Sequence, residues 1–262
     1  MLVFIKRILF KLLRQRSYLK TLHRGFYLLY YLGLLKNDAR FKYHYAVRFF
    51  IQSDYTIVDI GANLGYFSKN FARIAKKGKV ICIEPVEAFY KVLSHFIGSY
   101  KNVTIHNCAL GNENGTVTMV LPETDGMIRT GLPHISESKE EQNKHKTKAV
   151  EVVKGSELLS GLDKLDYIKC DIEGYEQIVF NEIRPIIKQH LPIVQIEIDP
   201  KNEPKMFAYF AELNYIQYGI AKFKLVREED STQKEQGDFL FVHSNHTKEF
   251  EARMKSKGLL KY

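Results

Sequence analysis

The run Thr56–Ser68, TIVDIGANLGYFS, constrains the fold of this chain more than any other stretch. Ile57, Val58 and Ile60 form a short β-branched segment of the kind a central parallel strand, covered on both faces, requires. Gly61 and Gly65 come immediately after it, with Asn63 between them. The pattern predicts a strand that breaks into a glycine turn and then a helix. Without side chains at 61 and 65, backbone can approach a ligand and the helix can pack against the strand. Asp59, one residue before the turn, adds a carboxylate at the strand's end.

Residues 66–85 continue in the order of a nucleotide-binding βαβ unit. Tyr66–Ala75 has helical character, with its N-terminus toward the ligand side. Lys79–Ile83 is a second β-rich run that closes with Glu84 and Pro85. Glu84 lies nineteen residues after Gly65, where an acid accepts hydrogen bonds from a ribose hydroxyl pair. Its plainer alternative is to cap the helix beginning near Glu87. A helix over Ala88–Ile97 and a strand over Val103–Asn107 come next. The turn GNENG (111–115) then leads to Thr116–Leu121, expected to be a hairpin partner.

From Pro122 to Lys148 periodicity fails, which marks a lid, a binding loop or an unstructured segment. His134, inside it, is expected to be a solvated surface group rather than a base. A strand-like piece, Val150–Val153, precedes the second informative stretch, LDYIKCDIEGYEQIVF (165–180). Tyr167, Ile168 and Cys170 belong to a strand that ends in Asp171 and Glu173 before Gly174. Two carboxylates thus leave the carboxyl end of one strand, the edge at which open parallel sheets bind ligands. Capping the helix from Tyr175 is the alternative for Glu173, while Asp171, directly after a buried strand, needs a partner or a ligand.

Ile193–Ile198 is a further strand carrying Glu197, succeeded by a helix over Pro204–Leu213 and strands over Tyr215–Ile220 and Phe239–His243. Lys222–Gln236 between the last two is expected to be a solvated hairpin. The polar helix from Thr247 onward is expected to be peripheral.

The net charge of +9 suggests nucleic acid until it is located. Residues 1–50 hold eleven Lys/Arg and one acid, leaving 28 basic and 29 acidic residues in the remainder. The body is near neutral and shows no aromatic and basic interleaving, so no nucleic-acid partner is expected. The charge belongs to an N-terminal extension whose first segment, MLVFIKRILFKLLRQ, sets Arg7, Lys11 and Arg14 opposite Leu2, Ile5 and Leu9 as a basic amphipathic helix. Docking or a partner contact is its favoured role, with peripheral membrane contact through residues 1–35 as the alternative. The apolar run Gly25–Leu35 is too short to span a bilayer. Cys82, Cys108 and Cys170 each sit in an apolar run without paired spacing, which suits reduced core thiols and a cytoplasmic protein, or one held at the inner membrane face. None of the nine histidines makes an H-x-x-x-H pair, so a histidine metal site is not expected. The expected layout is an extension over 1–52, one α/β domain over 53–245 and a peripheral helix over 246–262.

VDIGANLGYFS, the IEP ending at Pro85, NCALGNENG from Asn107 and KCDIEGYE from Lys169 together resemble the FkbM family of S-adenosylmethionine-dependent methyltransferases. The resemblance covers roughly residues 56–220. It implies a Rossmann-like class I methyltransferase fold, a seven-stranded and mostly parallel sheet with helices on both faces and an antiparallel final strand. It also implies S-adenosyl-L-methionine as methyl donor. Gly61, Asn63 and Gly65 would wrap its amino-acid portion, Asp59 would help hold that end, Glu84 would hold the ribose, and Asn107 and Cys108 would lie near adenine. O-transfer to a hydroxyl of a sugar, glycan or related metabolite is the expected reaction. Asp171 is the first candidate for proton acceptor, Glu173 the second and Glu197 an orienter. The same carboxylates could instead gather magnesium or calcium. A nicotinamide dehydrogenase would want Gly-x-Gly-x-x-Gly, from which Gly61–Gly65 departs. A catalytically silent cofactor-binding scaffold is the remaining alternative.

Overall fold

The structure, a computed structural model, describes residue 10 and residues 13–124, 127–136, 138–221, 224–227 and 238–260. Most of the predicted first amphipathic helix and most of the 222–236 hairpin lie outside the described residues.

The glycine turn comes directly after strand β1 (Thr56–Ile60), every residue of which is buried. β1 pairs in parallel with β2 (Lys79–Ile83) on one side and β10 (Tyr167–Cys170) on the other. The sheet extends through β3 (Val103–His106) beyond β2 and β11 (Ile193–Glu197) beyond β10, all parallel. β14 (Asp238–His243) then runs antiparallel between β11 and β12 (Tyr215–Ala221), and β13 (Lys224–Arg227) closes the edge. The order is β13-β12-β14-β11-β10-β1-β2-β3. The expected antiparallel last strand is present, and the sheet has eight strands rather than seven. The extra one, β13, folds back from β12 within the segment expected to be a solvated hairpin; its Leu225 and Val226 are buried.

Alternation along the strands sends side chains to two cores. Val58, Ile60 and Ile168 face α7 (Glu176–Glu182), α8 (Arg184–His190) and α9 (Glu203–Glu212). Ile57, Val80 and Cys82 face α2 (Lys42–Phe50), α3 (Ser68–Ile74), α4 (Glu87–Ile97) and α10 (Ser244–Ser256). The helix expected to be peripheral therefore packs on the sheet: Phe250 and Met254 are buried in that second core. All three cysteines are buried and free.

Helix α1 (Gln15–Tyr31) lies against the body with Tyr18, Leu19, His23 and Tyr27 buried. A third cluster joins it to Leu64 of the glycine turn, to Phe89 of α4 and to a second sheet. That sheet, ordered β4-β9-β5-β8, comprises β4 (Ala109–Gly111), β5 (Gly115–Leu121), β8 (His134–Ile135) and β9 (Lys146–Lys154). The expected hairpin partner is thus corrected: β5 pairs with β9 along its whole length and with β8, while β4 pairs with β9 in parallel. The segment without periodicity is built of short pieces, including β6 (Glu123–Thr124), β7 (Met127–Ile128) and helix α5 (Lys139–Lys144), and the short helix α6 (Gly155–Leu158) follows β9. Among the described residues no helix is long and apolar enough to cross a membrane.

Candidate active site

Strand order reverses between β1 and β10, so the loops leaving them diverge and open a crevice at the carboxyl edge of the sheet. A cavity of about 50 Å3 occupies it, lined by Gly61, Asn63, Glu84, Asp171 and Glu173, with Pro85, Phe89 and Ile172. Five of the ten sequence-predicted site residues meet there. Gly131 and Pro133 of the 122–148 segment cover it, and Asn63 Nδ2 donates to Thr130 O at 3.5 Å. That segment is a lid in position. Ligand pockets generally measure about 300–1,000 Å3, so the cavity is smaller than a nucleoside needs with Gly131 and Pro133 in this position.

The turn is shaped by close approach. Gly61 has φ +77°, and a Cβ there would stand 1.9 Å from the Asp171 carbonyl oxygen. Asn63 also adopts the left-handed region, φ +53°, with its own Oδ1 accepting from Leu64 N at 2.8 Å. Gly65 serves packing: at φ +88°, a Cβ would meet Leu93 Cδ1 at 2.8 Å. From outside, α1 fastens the turn. His23 Nδ1 donates to Leu64 O at 2.8 Å while its ring stacks on Phe96, and Tyr27 Oη donates to Tyr66 O at 2.9 Å. Burial pushes the His23 imidazole down to about 4, so it is neutral near pH 7.

Glu84 is buried at the end of β2, and its two oxygens accept from Asn63 N at 2.7 Å and from Val86 N at 2.8 Å. It therefore holds the glycine turn to the residue before α4 and does not cap that helix, whose N-cap is Val86 with no side-chain cap hydrogen bond. Burial pushes the carboxyl up to about 7 against these two hydrogen bonds. Asn107 spends its amide on the carbonyls of Glu84 and Pro85, at 2.8 and 3.1 Å, and so shapes the site from behind. Cys108 is a core thiol, raised to about 11 by burial. Asp59 is fully buried, donated to by Ser68 Oγ through one oxygen, and does not reach the cavity; burial raises its pKa.

Beneath the carboxylates lies a residue sequence reasoning missed. Lys169 is buried in β10, and its Nζ is 3.0 Å from Asp171 Oδ2. Burial would lower its pKa, but Asp171 and Asp59 together hold it above the ordinary lysine value. A lysine inside YIKC was the available signal, since a charge in a strand covered on both faces must be paired. Glu173 has φ +52° and is no helix cap, because α7 is preceded by Tyr175 and Glu176 instead accepts from Gly174 N. Glu173 keeps an exposed surface, yet partial burial beneath the lid and the charge of Asp171 push it up to about 7. Glu197, at the end of β11, is exposed and outside the cavity lining; crowding by protein and by Asp171 and Asp238 raises its pKa. Among the described residues no cluster of His, Cys, Asp or Glu is arranged to hold a metal ion.

His134 is not a free surface group. It is half-buried in the lid, with Nδ1 on Leu132 O and Nε2 2.6 Å from Glu141 Oε1. Burial lowers its pKa, but Glu141 outweighs that and leaves it raised.

Three solved structures give the range of likeness. A methyltransferase FkbM from Methylobacillus flagellatus is 16% identical, with a TM-score of 0.49 over 74% of this chain and 44% of its own. The shared span is thus less than half of that protein. An S-adenosylmethionine-dependent O-methyltransferase from Thermotoga maritima is 14% identical, with a TM-score of 0.42 over 78% of this chain and 64% of its own. A precorrin-6y C5,15-methyltransferase from Geobacter metallireducens is 12% identical, with a TM-score of 0.43 over 77% and 86%. No curated protein matches. The model of the methyltransferase FkbM domain matches residues 59–218, which runs from the end of β1 into β12 and takes in every carboxylate of the crevice. The chain belongs to the FkbM family of S-adenosylmethionine-dependent methyltransferases.

Proposed function

We propose that the protein transfers a methyl group to a hydroxyl of a sugar, glycan or related metabolite, with Glu173 as proton acceptor and Asp171 as the group that orients the acceptor. The observation that carries this reading is the meeting of Gly61, Asn63 and Glu84 with Asp171 and Glu173 around one crevice. The first three suit the donor. Two left-handed backbone positions and a Cβ-free approach leave room for it, and Glu84 presents a carboxylate that can accept from hydroxyls with lone pairs its two N–H partners do not use. When bound, S-adenosyl-L-methionine supplies an activated methyl on a sulfonium, displaced in line.

The protein's share is alignment and proton removal. Alignment of reacting groups is worth about 7–11 kcal/mol in favourable cases. Asp171, held by Lys169 at 3.0 Å, has one oxygen left to receive an acceptor hydroxyl. Glu173, raised to about 7, is matched to take the proton as the oxygen–carbon bond forms, because a base works best near the operating pH. That reverses the order expected from sequence: Asp171 is engaged by a buried cation and Glu173 is not.

Isothermal titration with S-adenosylmethionine and NADH, on wild type and Glu84→Ala, tests the donor. Binding of the former only, weakened by the substitution, is expected. Methyl transfer to a panel of sugars is then compared in wild type and Glu173→Gln. A variant that turns over at the wild-type rate would overturn the base assignment, and activity confined to amines or carbon acids would overturn the acceptor class.

A further inference from the structure

Helix α1 presents two faces, and only one is used by the fold. Six large hydrophobic side chains are exposed among the described residues, and four of them fall within seven positions: Leu28 (61%), Tyr31 (55%), Leu32 (64%) and Leu34 (67%). They are not on a frayed end. Gly33, at φ +73°, closes α1 with Gly33 N on Tyr30 O and Leu34 N on Leu29 O, the paired hydrogen bonds of a Schellman stop. Tyr30 and Tyr45 tie the same end to α2 through the carbonyls of His44 and Tyr30. The leucines project from an ordered tip that no described residue covers.

The surroundings of the tip are positive. Arg24 stands one helical turn before Leu28 and exposed Lys36 follows Leu34 by two residues, and neither is in an ion pair among the described residues. Residues 13–50 carry eight Lys/Arg and one acid, Asp38, which is bonded to Arg40. A second copy of the chain docked by two-fold symmetry would oppose this charge to itself, and like-charge juxtaposition costs several kcal/mol. A surface that is both apolar within and negative outside satisfies the leucines and the cations at once.

We propose that the tip of α1 is a peripheral membrane-binding surface for anionic bilayers, with Leu28, Tyr31, Leu32 and Leu34 entering the interface and Arg24 and Lys36 on the headgroups. Tyr31 accepts a hydrogen bond from Arg73, in the last turn of α3, at the sheet edge opposite the carboxylates. The bound protein therefore keeps its crevice facing away from the bilayer. This surface depends neither on the identity of the acceptor nor on which carboxylate takes the proton.

The test is cosedimentation of the full chain with vesicles of phosphatidylcholine alone and of phosphatidylcholine mixed with phosphatidylglycerol, at low and high salt. Wild type is expected to pellet with the anionic vesicles and to be released by salt. Leu28→Ser/Leu32→Ser/Leu34→Ser should bind at least about tenfold more weakly, and Arg24→Glu/Lys36→Glu should lose the salt-sensitive part. Circular dichroism and donor affinity of both variants should match wild type. Absence of binding to anionic vesicles at low salt, equal binding to neutral ones, or equal binding by the leucine variant would each overturn the proposal. Leucine-dependent dimerisation in sedimentation velocity without vesicle binding would overturn it in favour of self-association.

Discussion

Lys169 Nζ stands 3.0 Å from Asp171 Oδ2, two residues along the same chain, and this buried cation is a shared counter-charge of the carboxyl edge. Asp59, Glu84, Glu173, Glu197 and Asp238 all feel its field as a stabilising influence on their anions. Lys169→Met should therefore act on both stability and chemistry. Breaking one side of a buried pair costs about 3–5 kcal/mol, and the 30% exposure of Asp171 brings the expectation to roughly 2–4 kcal/mol. Urea unfolding measures it. Lys169→Arg, which keeps the charge, should restore part of the loss, and an unfolding midpoint for Lys169→Met equal to wild type would show the pair to be idle.

The pH dependence of turnover should report Glu173. With its carboxyl raised to about 7, kcat/KM is expected to rise with pH and reach half its plateau near 7, since the base must be ionised. Glu173→Gln should lose that limb along with most activity. In Lys169→Met the limb should move to higher pH, because the anion has lost a supporting charge. A limb that stays unchanged in Glu173→Gln would assign it to another group.

Two buried groups should give opposite slopes in the stability of the free protein. Glu84 is raised in the folded state, from 4.5 to about 7, so the fold binds its proton more tightly than the unfolded chain does. Its contribution is greatest below pH 4.5, declines as pH rises toward 7 and is flat above, a change of roughly 3 kcal/mol. His23 is lowered from 6.5 to about 4, so its contribution is full above pH 6.5 and is lost on acidification toward 4, on a similar scale of roughly 3 kcal/mol. Thermal unfolding across pH 4–8 should show the acid-side loss flattened in His23→Phe, which keeps an aromatic ring against Phe96. Glu84→Gln should flatten the decline toward neutral pH.

Glycine substitutions separate backbone need from convenience. Gly61→Ala sets a Cβ against the Asp171 carbonyl at a positive φ and should destabilise by about 3 kcal/mol or more, with loss of donor binding. Gly25→Ala, within α1 and with no atom within 4 Å, should instead stabilise by roughly 0.5–1 kcal/mol. Chemical unfolding of the two variants side by side checks both signs.

The parts legible in the sequence were those whose residues answer to local physics. Ile57, Val58 and Ile60, like Tyr167, Ile168 and Cys170, are apolar on both faces of their strands because both faces are covered, and Gly61 and Asp171 mark where the strands end. Pairing is a different matter. β9 begins with the exposed residues Lys146–Ala149, so half of the strand looks like loop, and its partnership with β5 could not be read from either segment. Phe250 and Met254 are too few to outweigh the polar residues around them, and the last helix looked peripheral. Within the site, Asp171, Glu173 and Glu84 announced themselves by standing at strand ends. Lys169 did not, since its reason for being there is a set of acids brought from four other strands or loops.

The placement of β14 has a consequence for how the chain is made. β14 is synthesised after both β11 and β12 and enters between them. The parallel run from β3 to β11 can assemble while β12 still lacks the partner that joins it to the rest. Until residues 238–243 are available, the nascent protein carries an open edge on β11 and a detached hairpin of β12 and β13. A nascent chain halted just short of that point would have its crevice residues in place and its sheet unfinished, which makes the insertion of β14 a matter of edge protection rather than of active-site assembly.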